Sequence, residues 1–414
     1  MFGVRRPMFD VRYFFAAPCL MFPRRLPVAF VLAVSFASAA ATPLPYARAA
    51  WVVPPGVVVP HEPERVFIGP GTIALPSGEI LMLAPWGSAP ALFEELRGTY
   101  PPPPFYRSAD HGRTWTRGER IPLEWKLTGT INNGGMSFLR LRDGRIALVG
   151  HRYVPDNKGG GLPFITFSSD QGATWTPAKL VGGEVAADDP WYIMNDRLVQ
   201  LRSGRLLVPV AHAVRNSGPE GDLAESGCFY SDDGGATWRL STLVRPPGAL
   251  RGMAEPCAAE LPDGRVLLLA RSGTGYLVAA FSTDAGATWS EPHNTTLLSP
   301  CTSLTLKTLP DGRLIVFYNH VKEDGPGSLF PRCPLVYAVS ADGEHWGGPV
   351  IVDDEGWDPV QPTRENIYPS ICFLDEGMLV VWSSHFSTAG KTRRSVGQNQ
   401  IGGGKRGVLK YPRP

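Results

Sequence analysis

The chain has 414 residues, and its 40 Lys and Arg against 38 Asp and Glu leave a formal net charge of +2. Both signs are spread along the sequence, which argues against a nucleic-acid or membrane-surface partner and directs attention to a local site. With 46 Gly, 41 Pro and 11 Trp, the chain is rich in turns and in large strand residues, as all-β proteins are.

In chain order, Met21 opens a segment with Arg24 and Arg25, an apolar run from Leu26 to Phe36, and small residues from Ala37 to Ala41. This is the pattern of a secretory signal peptide. The apolar run is far shorter than the ~20 residues a spanning helix needs. Translation is expected to start at Met21 and cleavage to fall between residues 41 and 50. Residues 1–50 are therefore read as signal and N-terminal extension, residues 51–414 as one domain, and the product as secreted or periplasmic without stable membrane insertion. Five cysteines follow the signal: Cys228, Cys257, Cys301, Cys333 and Cys372. No CxxC pair occurs, so no metal site is expected, and the odd number leaves at least one thiol unpaired. Buried strand thiols are the simpler reading; a bridge between blades through Cys257 or Cys333 stays open.

From residue 65 onward a hairpin signal recurs, a leucine three residues before a glycine and followed by an apolar run. It appears at Leu75, Leu141, Leu201, Leu261, Leu309 and Leu374. A second signature, SxDxGxTW, follows most copies: Ser108 to Trp115, Ser168 to Trp175, Ser231 to Trp238 and Ser282 to Trp289, with Ser340 to Trp346 one residue short. Two hairpins per period of roughly 50 to 65 residues, without a long helical periodicity, predict an all-β, six-bladed β-propeller of four-stranded antiparallel blades. Such a fold grows by adding blades, so the length requires no second core.

The repeat register locates a site. Six residues before each hairpin leucine stand Gly69, Gly135, Asn195, Glu255, Ser303 and Tyr368, which should ring the axis. The outgoing strands end near Trp86, His151, His212, Arg271, Asn319 with His320, and His385, a polar rim suited to binding. Glu255 and Arg271 open and close one hairpin, so they should lie side by side.

The SxDxGxTW repeats resemble the bacterial neuraminidase repeats, or Asp boxes, of the sialidase superfamily. The resemblance puts these boxes on turns opposite the active face and makes them structural. It implies a tyrosine nucleophile with a glutamate base, and arginines that hold the substrate carboxylate. A neutral phenol suits attack at a carbon that already bears a carboxylate, since a charged nucleophile would be repelled. By similarity of the stretches EPCAAELPDGRVLLLAR, RCPLVYAVSADGEHW and IYPSICFLDEG, the resemblance implies Glu255 as base, Arg271 and Arg332 as clamp, and Tyr368 as nucleophile. An ion pair alone, for Glu255 with Arg271, and a strand aromatic, for Tyr368, are the bland alternatives.

Two departures stand out. Ile68 holds the place of the family's first arginine, with Arg65 or Arg197 as substitutes, and only Glu94 and Glu95 fall on the loop where the acid/base residue is expected. The third blade offers Asn195, Asp196, Arg197 and His212 in a stretch that looks like a secreted bacterial sialidase-like branch. Asp196 is read either as general acid or as a buried partner. Strand alternation would aim Asn195 and Arg197 at the axis and Asp196 between blades. The implied function is a retaining glycosidase on a terminal acidic sugar of a glycan or glycoconjugate, without cofactor. A different sugar acid, a neutral glycan, a non-catalytic glycan-binding propeller and a purely structural propeller remain as rivals.

Overall fold

A computed structural model describes residues 44–59, 65–67, 69–83, 86–88, 104–120, 130–153, 161–182, 191–214, 223–321, 331–358, 364–386 and 402–413. The expected signal segment, Ile68, Glu94 and Glu95 lie outside these residues.

Six antiparallel blades of four strands surround an axis. Blade 1 runs Gly71–Ala74, Ile80–Leu83, Pro104–Ser108 and Thr116–Arg120, and blade 4 runs Met253–Glu260, Val266–Ser272, Tyr276–Ser282 and His293–Leu298. Blades 2 and 3 have inner strands Thr130–Arg140 and Val199–Gln200 and share hydrogen bonds through Trp191–Tyr192. Blade 5 begins at Thr305–Thr308 and gains Ala47–Arg48 as a parallel edge strand. Leu44 and Tyr46 pack beside it, so the chain joins the propeller ahead of residue 51. Blade 6 comprises Arg364–Leu374, Gly377–Phe386, Gly402–Leu409 and Trp51–Val59. Its third strand carries Val408 and Leu409; its fourth comes from the N-terminal side, and this pairing closes the ring.

The hairpin signal takes the same form in five blades. In blade 4, the Gly264 amide donates to the Leu261 carbonyl at 3.0 Å and the Leu261 amide to the Arg265 carbonyl at 2.8 Å. Gly264 sits at φ 93°, a conformation that glycine adopts at little cost.

Among the described residues, buried apolar side chains form six clusters, each wedged between two neighbouring blades. The five Asp boxes seal five of these wedges, all but the one between blades 5 and 6. In the second box, Asp170 accepts from the Thr174 amide (2.8 Å), Ser168 bridges Asp170 and the Gly172 amide, and the Trp175 indole donates to the Gly172 carbonyl at 3.2 Å. That tether lays Trp175 into the wedge between blades 1 and 2. Each wedge excludes water by area; truncating a fully buried leucine such as Leu267 costs about 2–5 kcal/mol.

All five described cysteines are free and buried, so no bridge joins the blades through Cys257 or Cys333. Burial pushes the Cys372 thiol up to about 12 and raises Cys257 and Cys301 as well.

Candidate active site

Three ring positions share one backbone feature. Gly69, Glu255 and Tyr368 have φ of 60°, 49° and 51°, and each precedes a proline: Pro70, Pro256 and Pro369. Strand pairing slips at both non-glycine positions, between Ala254 and Cys257 and between Ile367 and Ser370. A left-handed residue there is strained, by about 1–3 kcal/mol, and persists because its surroundings fix it. The bulge re-aims the side chain out of the pleat.

The result brings together residues from blades 4, 5 and 6. The Tyr368 hydroxyl donates to Glu255 Oε1 at 3.4 Å, and Arg271 Nη1 lies 3.0 Å from Glu255 Oε2. Glu255 and Tyr368 are 8% and 7% exposed, so both act in a poorly solvated place where charge interactions are strong. Burial, then the Glu255 charge, raises the Tyr368 pKa, with Arg271, Arg332 and Arg197 pulling against them. The resting phenol is therefore protonated, with its proton aimed at Glu255. Burial would lower the Arg271 pKa, but Glu255 and Tyr368 overrule it and the net shift is upward.

Arg332 stands near the same pair, with Nη1 3.5 Å from Glu365 Oε2. Glu365 is 2% exposed, and burial raises its pKa despite Arg332. Sequence reasoning missed this residue; its signal was an acid three positions before Tyr368 on the same strand.

The tyrosine is held from behind. Its amide donates to Ser303 Oγ at 3.1 Å, and its carbonyl accepts from Asn195 Nδ2 at 3.3 Å. The same amide group of Asn195 reaches the Pro70 and Pro369 carbonyls at 3.1 Å, and Thr305 Oγ1 donates to Pro369 at 2.7 Å. Side chains from blades 3 and 5 thus fix the kinked strand of blade 6.

The third-blade cluster corrects the sequence expectation. Asp196, not Asn195, takes the left-handed turn in this blade, at φ 61°, which breaks the alternation. Asn195 is fully buried and serves as the tie just described. Arg197 is 1% exposed and donates to the carbonyls of Asn195 (2.7 Å) and Glu255 (3.4 Å), so it braces the backbone instead of presenting a clamp. Asp196 accepts from Lys307 Nζ at 2.6 Å and from the Ile371 amide at 2.9 Å; the structure gives it the buried-partner place and does not bring it to the Tyr368 and Glu255 pair. His212 packs against Trp191 with ring centroids 4.8 Å apart and planes tilted by 44°, and His385 is bound to the Phe67 carbonyl at 2.7 Å. The rim histidines are thus in part cross-strand supports.

Among the described residues no group of His, Cys, Asp or Glu could hold a metal ion, and no helix is long and apolar enough to cross a membrane.

Fold and site together define an Asp-box propeller with a phenol, a carboxylate and guanidinium groups gathered at one end of its axis. The chain belongs to the sialidase superfamily of such propellers: the model of the BNR repeat-like domain family matches residues 153–381. The sialidase of Micromonospora viridifaciens is 29% identical over 302 residues, covering 64% of this chain and 44% of that protein. Sialidase-3 of Rattus norvegicus is 30% identical over 188 residues, covering 41% and 43%. The chain therefore spans less than half the length of these curated relatives. Among solved structures, a Dyadobacter fermentans protein of unknown function superposes with a TM-score of 0.66 at 20% identity, covering 89% of this chain and all of that one. A Hadza microbial sialidase gives 0.56 at 17% identity, covering 83% and 66%.

Proposed function

We propose that the protein is an exported, retaining exo-glycosidase of sialidase type, acting on a terminal acidic sugar of a glycan or glycoconjugate. The observation that carries this reading is the Tyr368 hydroxyl directed at Glu255 at 3.4 Å, with Arg271 on the far carboxylate oxygen. As the phenol oxygen bonds to the anomeric carbon, Glu255 takes its proton, and the ion pair with Arg271 steadies that carboxylate. Arg271 and Arg332 meet the sugar carboxylate, which a planar guanidinium binds with two charge-assisted hydrogen bonds. Water then releases the sugar from Tyr368 with net retention. With Asp196 engaged by Lys307, Glu94 and Glu95 are, by sequence position alone, the candidates to protonate the departing oxygen. Export rests on the Met21 to Ala41 pattern.

The test is hydrolysis of sialosides and of other ulosonic and uronic glycosides by the wild type, Tyr368→Phe and Glu255→Gln, with folding checked by circular dichroism. Loss of turnover in both folded variants supports the assignment, and unchanged turnover in either refutes that residue's role. Ile68 in the place of the first arginine favours a second reading, a sugar acid other than sialic acid, and the same substrate panel reads it. Inactivity across the panel combined with binding to a glycan array would instead identify a non-catalytic glycan-binding propeller.

A further inference from the structure

The inner strands line a concavity of about 350 Å³, separate from the Tyr368 site and within the range of small-molecule sites. Apart from Asp196, every residue lining it stands three to five positions beyond its blade's ring residue; Arg140 is five beyond Gly135, and Lys307 four beyond Ser303. At ~3.3 Å per strand residue, this places it roughly 10 to 16 Å along the channel from the Tyr368 ring, toward the hairpin turns.

Its charges do not cancel. Asp196 and Lys307 pair at 2.6 Å, which uses one of the three ammonium donors. Arg140 also lines the cavity; its Nη2 donates to the Ala74 carbonyl at 2.5 Å, and no carboxylate partners it among the described residues. One positive charge is left over, beside walls that include Phe138, Leu198 and Phe373. A guanidinium in a partly dry recess without a counter-ion favours an anion. The apolar walls favour one with a hydrocarbon body, and a surplus of one charge fits a monoanion.

We propose that this recess is a second binding site, for a small organic carboxylate, with Arg140 and the spare donors of Lys307 as its anion-binding groups. It goes beyond the reading of the Tyr368 site and does not depend on it.

The probe is 4-fluorobenzoate, titrated into the full chain and followed by fluorine NMR. Because Arg271 and Arg332 could also take a carboxylate, three variants separate the sites: Arg140→Gln, Thr308→Trp at the exposed edge of the recess, and Arg332→Gln. The expected result is a saturable component weakened roughly ten-fold by Arg140→Gln, blocked by Thr308→Trp and left in place by Arg332→Gln, with all three variants melting cooperatively. Absence of saturable binding overturns the proposal. So does binding that Arg140→Gln leaves unchanged, whatever Thr308→Trp does. Should Arg140→Gln fail to fold, Thr308→Trp decides: binding that survives it overturns the site.

Discussion

The side-chain amide of Asn195 donates to the carbonyl of Tyr368, at 3.3 Å, from the blade diametrically across the ring. Two further carbonyls, of Pro70 and Pro369, converge on the same nitrogen. Replacing Asn195 by Ala would remove the donor that the Pro70 and Tyr368 carbonyls share, while Pro369 keeps Thr305 Oγ1. The expected loss is about 1–3 kcal/mol, seen as a lower denaturant midpoint, and under the proposed function turnover should fall as well because the Tyr368 backbone loosens. An unchanged midpoint would mean that water replaces the amide.

Asp196 and Lys307 form a pair whose carboxylate side chain is 1% exposed. Removing only the cation, in Lys307→Met, leaves a buried charge and should cost about 3–5 kcal/mol. The double variant Asp196→Asn with Lys307→Met should cost less than the sum of the singles, since no charge is left alone. A double-mutant cycle in urea measures this, and strict additivity would contradict the coupling.

Tyr368 has its pKa raised by burial and by Glu255. In the unfolded chain its phenol ionises near the ordinary value of about 10. A group whose folded pKa lies higher contributes stability that is full below the unfolded pKa and is lost as pH rises toward the folded one. Wild-type stability should therefore decline more steeply above pH ~10 than that of Tyr368→Phe. The alkaline difference spectrum of the two proteins should lack a tyrosinate signal at the ordinary pKa. A normal titration would place the phenol in water.

Burial works against ionisation of Asp284, but the hydroxyl and amide of Thr288, the Ser282 hydroxyl and the Ala287 amide outweigh it and lower the carboxyl to about 2. The sign is opposite to that of Tyr368: its stabilisation is present above the unfolded value of about 3.9 and fades as pH falls toward 2. Thermal melts of Asp284→Asn should lie below wild type at neutral pH and approach it as pH falls to about 2. A constant gap across that range would mean that ionisation is irrelevant to the turn.

The blade count, the ring of inner positions and the adjacency of Glu255 and Arg271 were legible because hairpin and Asp-box spacing carries the register of each blade. The third blade was not, because alternation assumes regular strands. Asp196 breaks that rule with a left-handed turn, which moves it off the expected face and turns Arg197 onto the Asn195 and Glu255 carbonyls. A signal for the kinks was present elsewhere: the residue before a proline is steered away from the helical region, and Gly69, Glu255 and Tyr368 all precede one. Glu365 was passed over despite standing three positions before Tyr368, because its partner Arg332 lies 33 positions away and only packing brings them to 3.5 Å.

Blade 6 joins Trp51–Val59 to Gly402–Leu409. Its last seam can therefore be sewn only after synthesis has passed Leu409, and a nascent chain still missing that segment presents Gly377–Phe386 as a bare β-edge, open to pairing with other molecules. Closure of the ring consequently depends on how long that edge is kept from strangers.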